Sequence, residues 1–161
     1  MSKTTGATVN GTVNLPCAAE AIYEGKVYKI SSGLMTVTTA NTDKAFAIAA
    51  QSTRDWQLNN SRILTSGDYW QFYMLGCNMI VNVQSVASAV WHLGDIVSLG
   101  GTSTNVETNG RVKEVTHDSS VVIGHYLGTV NKTISSTTQD VDSTEFIQVL
   151  LDTTSTEDTT A

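Results

Sequence analysis

Trp91-His92-Leu93-Gly94-Asp95-Ile96-Val97-Ser98-Leu99, a Gly/Ser/Thr/Asn loop, Arg111-Val112-Lys113-Glu114-Val115, a turn, and Val121-Val122-Ile123-Gly124-His125-Tyr126-Leu127 make up the stretch that decides the fold class. Its repeated design is turn, short apolar run, turn. Gly94-Asp95 feeds Ile96 to Leu99, Asn109-Gly110 is a strong hairpin signal ahead of Arg111, and His117-Asp118-Ser119-Ser120 supplies polar turn chemistry before Val121. Apolar runs this short, rich in β-branched residues, match strands and fall below the length a helix needs to persist. No nucleophile, metal cluster or phosphate loop interrupts them. The stretch predicts a β unit built to hold a shape.

Working outward, Tyr69 to Leu75 is the most aromatic run. It predicts a hairpin with Met79 to Val83 across Gly76-Cys77-Asn78, placed at the centre of the core. Ala45 to Ala50 is continuous and small, as in a central strand packed closely on both sides. Lys26 to Ile30 reads as a strand near an edge, turned by Ser31-Ser32-Gly33 into Leu34 to Thr39. Ser85 to Trp91 is the one piece expected to form a helical turn or two. Gln51 to Thr65 is irregular, with Trp56 as its large apolar residue, and Thr144 to Leu151 reads as the last strand. The sequence therefore predicts an all-β chain, a small β-barrel or β-sandwich with at most one short helix. Residues 15–151 form the single domain. Residues 1–14 form an extended N-terminal arm, and residues 152–161 a flexible, disordered acidic tail.

Composition bounds the chemistry. A chain of 161 residues suits one domain burying about 70% of its unfolded surface. The formal charge of −6 disfavours nucleic acid as a direct partner, because phosphate binding needs a surplus of Lys and Arg. No run approaches the roughly 18 apolar residues of a membrane helix, and the start lacks the apolar core of a secretion signal, so no membrane partner is expected and synthesis in the cytosol is. Cys17 and Cys77 read as free thiols rather than a disulfide.

His92, His117 and His125 with Asp95 and Asp118 lack the short paired spacing of zinc motifs, so no metal site is expected. No Gly-x-Ser-x-Gly elbow, Walker loop, dinucleotide fingerprint or Cys-x-x-Cys pair occurs. The expectation is no catalytic residues, no cofactor and no enzyme activity. Candidate contact residues are Thr8, Val9, Val13 and Leu15, where Thr/Val alternation could add a strand to a neighbour, and Trp56 as an aromatic anchor.

Ala21-Ile22-Tyr23-Glu24-Gly25-Lys26-Val27, Ile30-Ser31-Ser32-Gly33, Ala45 to Ala50, Leu93 to Leu99, Ile123 to Leu127 and Ile147-Gln148-Val149-Leu150-Leu151 follow one another in an order that resembles the capsid decoration, or cement, proteins of tailed bacteriophages and related viruses. The resemblance spans roughly Leu15 to Leu151. It implies a virion structural protein, commonly a homotrimer, on the exterior of the mature icosahedral head, with the host cytoplasm as the place of assembly. There it clamps neighbouring major capsid subunits and stabilises the head. The competing reading is a virion-surface carbohydrate- or receptor-binding β module, in which Trp56, Trp70 or Trp91 would offer a stacking face.

Overall fold

The computed structural model describes residues 11–55, 60–76, 78–86, 90–100, 109–115, 121–130 and 145–152. Within them lie β1 (Thr12–Pro16), β2 (Val27–Ser31), β3 (Leu34–Val37), β4 (Ala47–Ala49), β5 (Arg54–Asp55), β6 (Asn60–Ser61), β7 (Tyr69–Met74), β8 (Ile80–Ser85), β9 (Ile96–Leu99), β10 (Val112–Glu114), β11 (Val122–Val130) and β12 (Glu145–Leu150). The described residues include no helix, and the fold is all-β as the turn-and-run pattern requires. Thr8, Val9 and Trp56, with most of the expected arm and tail, lie outside the described residues.

Two five-stranded units account for all strands but the small β5-β6 hairpin. The first runs β1-β7-β4-β2-β3, and the second is a closed barrel in the order β10-β8-β12-β11-β9. Beyond the end of β1, Cys17 forms a parallel bridge to Met35 of β3, so the first sheet curls toward the same closure. We call the units barrel 1 and barrel 2.

The two barrels are copies of one topology. In each, the first strand pairs with the fifth, the fifth with the fourth, the fourth with the second and the second with the third, all antiparallel. The third then meets the first in parallel, through Met35 and Cys17 in barrel 1 and through Val112 and Ser85 in barrel 2. The registers coincide over the pairs the two barrels share, and barrel 2 adds bulges in β11 between Val122 and Gly124 and between Tyr126 and Gly128. Ile30↔Met35 corresponds to Leu99↔Val112, Ile48↔Tyr73 to His125↔Leu150, and Thr12↔Tyr73 to Ile80↔Leu150. Main-chain bonds outside the ladders repeat as well. The N–H of Gly25 donates to Ala49 O (3.0 Å) as that of Gly94 does to Tyr126 O (2.9 Å), and Thr38 N–H donates to Val27 O (3.1 Å) as Val115 N–H does to Ile96 O (3.0 Å).

Side chains fill the two interiors differently. In barrel 1 the Tyr28 and Phe72 rings meet edge to face at 5.4 Å. Tyr28 and Phe72 stand opposite Ala47 and Ala49, and rings of this size leave β4 room only for methyl groups. In barrel 2 the buried positions carry Val81, Val83, Val97, Leu99, Val112, Ile123, Ile147 and Val149. Gly124 stands where barrel 1 has Ala47, because a Cβ there would overlap the Leu150 carbonyl oxygen.

Three expectations are corrected. Tyr69 to Leu75 and Met79 to Val83 do not form a hairpin: β7 pairs with β1 and β4 of barrel 1, whereas β8 pairs with β12 and β10 of barrel 2. The turn between them is the link from one barrel to the next. Thr12 to Asn14, assigned to the arm, are strand residues paired with Tyr73, Phe72 and Gln71. Ser85 ends β8, and Val86 N–H donates to Val112 O at 2.9 Å, so the start of the expected helical turn belongs to the barrel closure, while its residues 87–89 lie outside the described residues.

Candidate functional site

The barrels meet along a seam that buries polar and charged groups. Asn109-Gly110-Arg111, the turn entering β10, wedges between the splayed ends of β2 and β3. Val27 N–H donates to Gly110 O (2.7 Å) and Gly110 N–H donates to Thr38 O (2.9 Å). At the other side, Gln84 N–H donates to Gly25 O (2.9 Å), while the Gln84 amide donates to Glu24 O (2.7 Å) and accepts from Arg111 Nε (3.3 Å). Lys26 places its ammonium 4.8 Å from the Tyr23 ring centroid, a favourable position over a π face.

Lys26 and Arg111 are 2% and 1% exposed. Burying such cations is costly unless they are paired and hydrogen-bonded, so the seam is a specific joint and not a loose apolar contact. Val27 and Ile48, on the outside of barrel 1, are fully buried in one apolar cluster with the interior of barrel 2.

Glycine makes the fit possible at two points. Gly25 (φ 80°) and Gly110 (φ 75°) both adopt left-handed backbone. A Cβ on Gly25 would lie 2.8 Å from Phe146 Cε1, and one on Gly110 would lie 2.7 Å from Val37 Cγ2 and 2.9 Å from Lys26 Cβ. Their counterparts in the other barrel, Gly94 (φ 89°) and Gly33 (φ 78°), keep the conformation but face open space, with nothing within 4 Å of a Cβ.

A cavity of about 140 Å³ lies along the seam, lined by Glu24, Ala49, Ala50, Tyr73, Ile80, Val81 and Asn82. That volume is below the several hundred Å³ of typical small-molecule sites and suits a few water molecules.

Ionisable groups near barrel 1 are engaged in structure. Burial pushes the Glu20 carboxyl up, against the lowering effect of bonds from Val37 N–H (2.8 Å) and Thr36 Oγ1 (3.1 Å). Burial and the nearby Glu20 push the Cys17 thiol up to about 12, which makes it a free, buried and unreactive side chain. Asp43 loses solvation, but the Lys29 ammonium at 2.8 Å and the N–H groups of Thr39 and Ala40 hold its carboxyl below the usual range.

Of the contact residues read from sequence, Val13 and Leu15 lie among the described residues. Val13 and Leu15 are half-buried in β1, opposite Phe72 and Trp70, and Leu15 packs against the barrel 1 core. Trp70 donates to Gln51 O at 2.8 Å. Trp91 stacks on Tyr126 at 5.4 Å and donates to Ser85 Oγ at 3.1 Å, so one face of its ring is already covered. The surface features that sequence reasoning missed are exposed aliphatics, led by Leu93 (78%), Ile63 and Val90 (both 69%) and Ile80 (59%). Only the Gly94-Asp95 turn signal hinted that Leu93 would project. Among the described residues no group of three His, Cys, Asp or Glu side chains could hold a metal ion. His92 is exposed beside Asp95 (Nδ1 to Oδ2, 3.4 Å), and His125 is half-buried between Ile96 and Leu150. No protein-family model matches the chain, and no curated protein or solved structure matches it significantly.

Proposed function

We propose that this chain is a capsid decoration protein: it binds the exterior of a mature icosahedral head as a homotrimer and clamps neighbouring major capsid subunits. The observation that carries the reading is the duplication. Two copies of one barrel, fixed by a buried joint, repeat one strand topology twice in a single chain, and that suits a target which is itself a lattice of repeated subunits. Two simultaneous weak contacts then act with a high effective local concentration. Exposed aliphatics on both barrels, Ile30 and Ile63 on one and Leu93 and Val90 on the other, supply apolar contact area. Ligation to the expanded shell alone stabilises that shell by mass action and needs no covalent chemistry.

The test mixes purified protein with expanded and unexpanded heads of the virus that encodes it and measures what sediments. Decoration predicts saturable co-sedimentation with expanded heads. Absence of binding to both forms refutes it. Deleting residues 1–10 leaves β1 intact and isolates the contribution of Thr8 and Val9; unchanged occupancy would remove the arm from the contact.

A further inference from the structure

We infer that the seam inside each chain is repeated between chains: the Ser32-Gly33-Leu34 turn of barrel 1 docks onto the Gly94–Ile96 and Glu114–Val115 edge of barrel 2 in a second copy.

The intramolecular seam is heterologous. Barrel 1 contributes its β2 and β3 ends, and barrel 2 contributes the turn before β10. Since the barrels share one register, each carries both surfaces, and a joint between only two of them leaves one of each unused. The unused pair is recognisable. Gly33 occupies the position of Gly110 and Gly94 that of Gly25, with nearly the same φ, yet each meets nothing within 4 Å where its counterpart is enclosed.

Burial follows the same division. Val27 and Ile48 are fully buried at the seam, while their counterparts Ile96 and His125 are half-buried. Leu93, 78% exposed, replaces the seam residue Glu24. The open edge is thus more apolar at this point than the closed one, as an edge covered by a partner would be. The receiving geometry is already formed, because Val115 N–H bonds to Ile96 O as Thr38 N–H bonds to Val27 O. By correspondence, Ile96 N–H would donate to Gly33 O and Gly33 N–H to Val115 O of the neighbour.

The copy is weaker in two respects: Asp95 and Leu34 stand where the seam buries Lys26 and Arg111, and a main-chain bond is lost. Pro16 stands where Gln84 donates its N–H to Gly25 O, so this third main-chain bond has no equivalent. The contact between chains is therefore weaker than the joint within them. A head-to-tail contact of this kind closes into a ring when its rotation permits. The inference rests on the duplication alone and gives the proposed self-association a surface.

Two variants test it. Gly33→Asn places in the donating turn a residue that tolerates left-handed backbone, in space that is open in the single chain and closed in the docked one. Glu114→Trp fills the receiving edge at an exposed strand position. Sedimentation velocity across a dilution series should show the wild type assembling and each variant alone running as the 17.2 kDa chain. Mixed, the two variants should form a one-to-one pair and nothing larger, since each retains the surface the other lacks. Circular dichroism and denaturant unfolding check that both fold. A monomeric wild type, variants that assemble like the wild type, or a mixture that does not pair would each overturn the inference. Capsid binding by the monomeric variants is read separately, so loss of the ring and loss of decoration are distinguishable.

Discussion

Replacing Gly25 and Gly94 separately by alanine measures what the joint contributes. Both residues have the same place in their barrels and similar backbone, φ 80° and 89°. The left-handed strain of an alanine, about 1–2 kcal/mol, is therefore common to both variants. At Gly94 that strain is the whole effect, because the methyl group enters open space. At Gly25 the methyl would lie 2.8 Å from Phe146 Cε1, 3.2 Å from Asn82 O and 3.2 Å from Gln84 N, and two of these three are main-chain atoms that cannot swing aside. Overpacking of this kind costs roughly 1–3 kcal/mol beyond the strain. Denaturant unfolding followed by tryptophan fluorescence, at dilutions where sedimentation finds single chains, should place Gly25→Ala about 1–3 kcal/mol below Gly94→Ala. Equal losses would refute the reasoning, since the joint would then yield to a methyl group at no cost.

Glu20 gives a pH dependence. Its folded-state value is raised above 4.5, so the native state holds the proton more tightly than the unfolded chain. That contribution is complete below 4.5 and is lost as pH rises through the raised value, so Glu20→Gln should gain stability relative to wild type from acid toward neutral pH in unfolding titrations. Thr53, 1% exposed, accepts from Ile22 N–H at 2.9 Å and donates to Arg62 O at 2.6 Å; Thr53→Val orphans both groups and should cost about 1–3 kcal/mol by the same unfolding measurement. Cys17 should resist alkylation at mildly alkaline pH in the native protein and label fully in denaturant, as read by peptide mass spectrometry. Rapid native labelling would contradict its burial and its value near 12.

Much of the strand content was legible because strands and turns are written locally. Ser32-Gly33 and Gly94-Asp95 predicted turns, and both contain left-handed residues. Ala45 to Ala50 predicted a central strand, and β4 lies in the middle of its sheet, fully buried. The predicted hairpin of Tyr69 to Val83 failed because adjacency in sequence was taken for adjacency in the sheet. Gly76 fits a link between barrels as well as it fits a hairpin turn, and local chemistry does not distinguish the two.

What the sequence determined by itself was the class: short apolar runs bounded by turn residues commit the chain to β structure. Only the tertiary structure decided that those strands form the same barrel twice. The ladders are made by main-chain groups that every residue but proline carries in full, and an interior accepts any apolar set of suitable volume, so Tyr28, Met35 and Phe72 can stand where Val97, Val112 and Val149 stand in the copy. Identity survives at Gly25 and Gly94, at Gly33 and Gly110, in the pair Val13-Asn14 matched by Val81-Asn82, and in the glutamines opposite those asparagines, Gln71 and Gln148. Four glycines, one dipeptide and one glutamine pair are too little to reveal a duplication along the chain. Shared register and a joint closed on one side and open on the other make it plain in space.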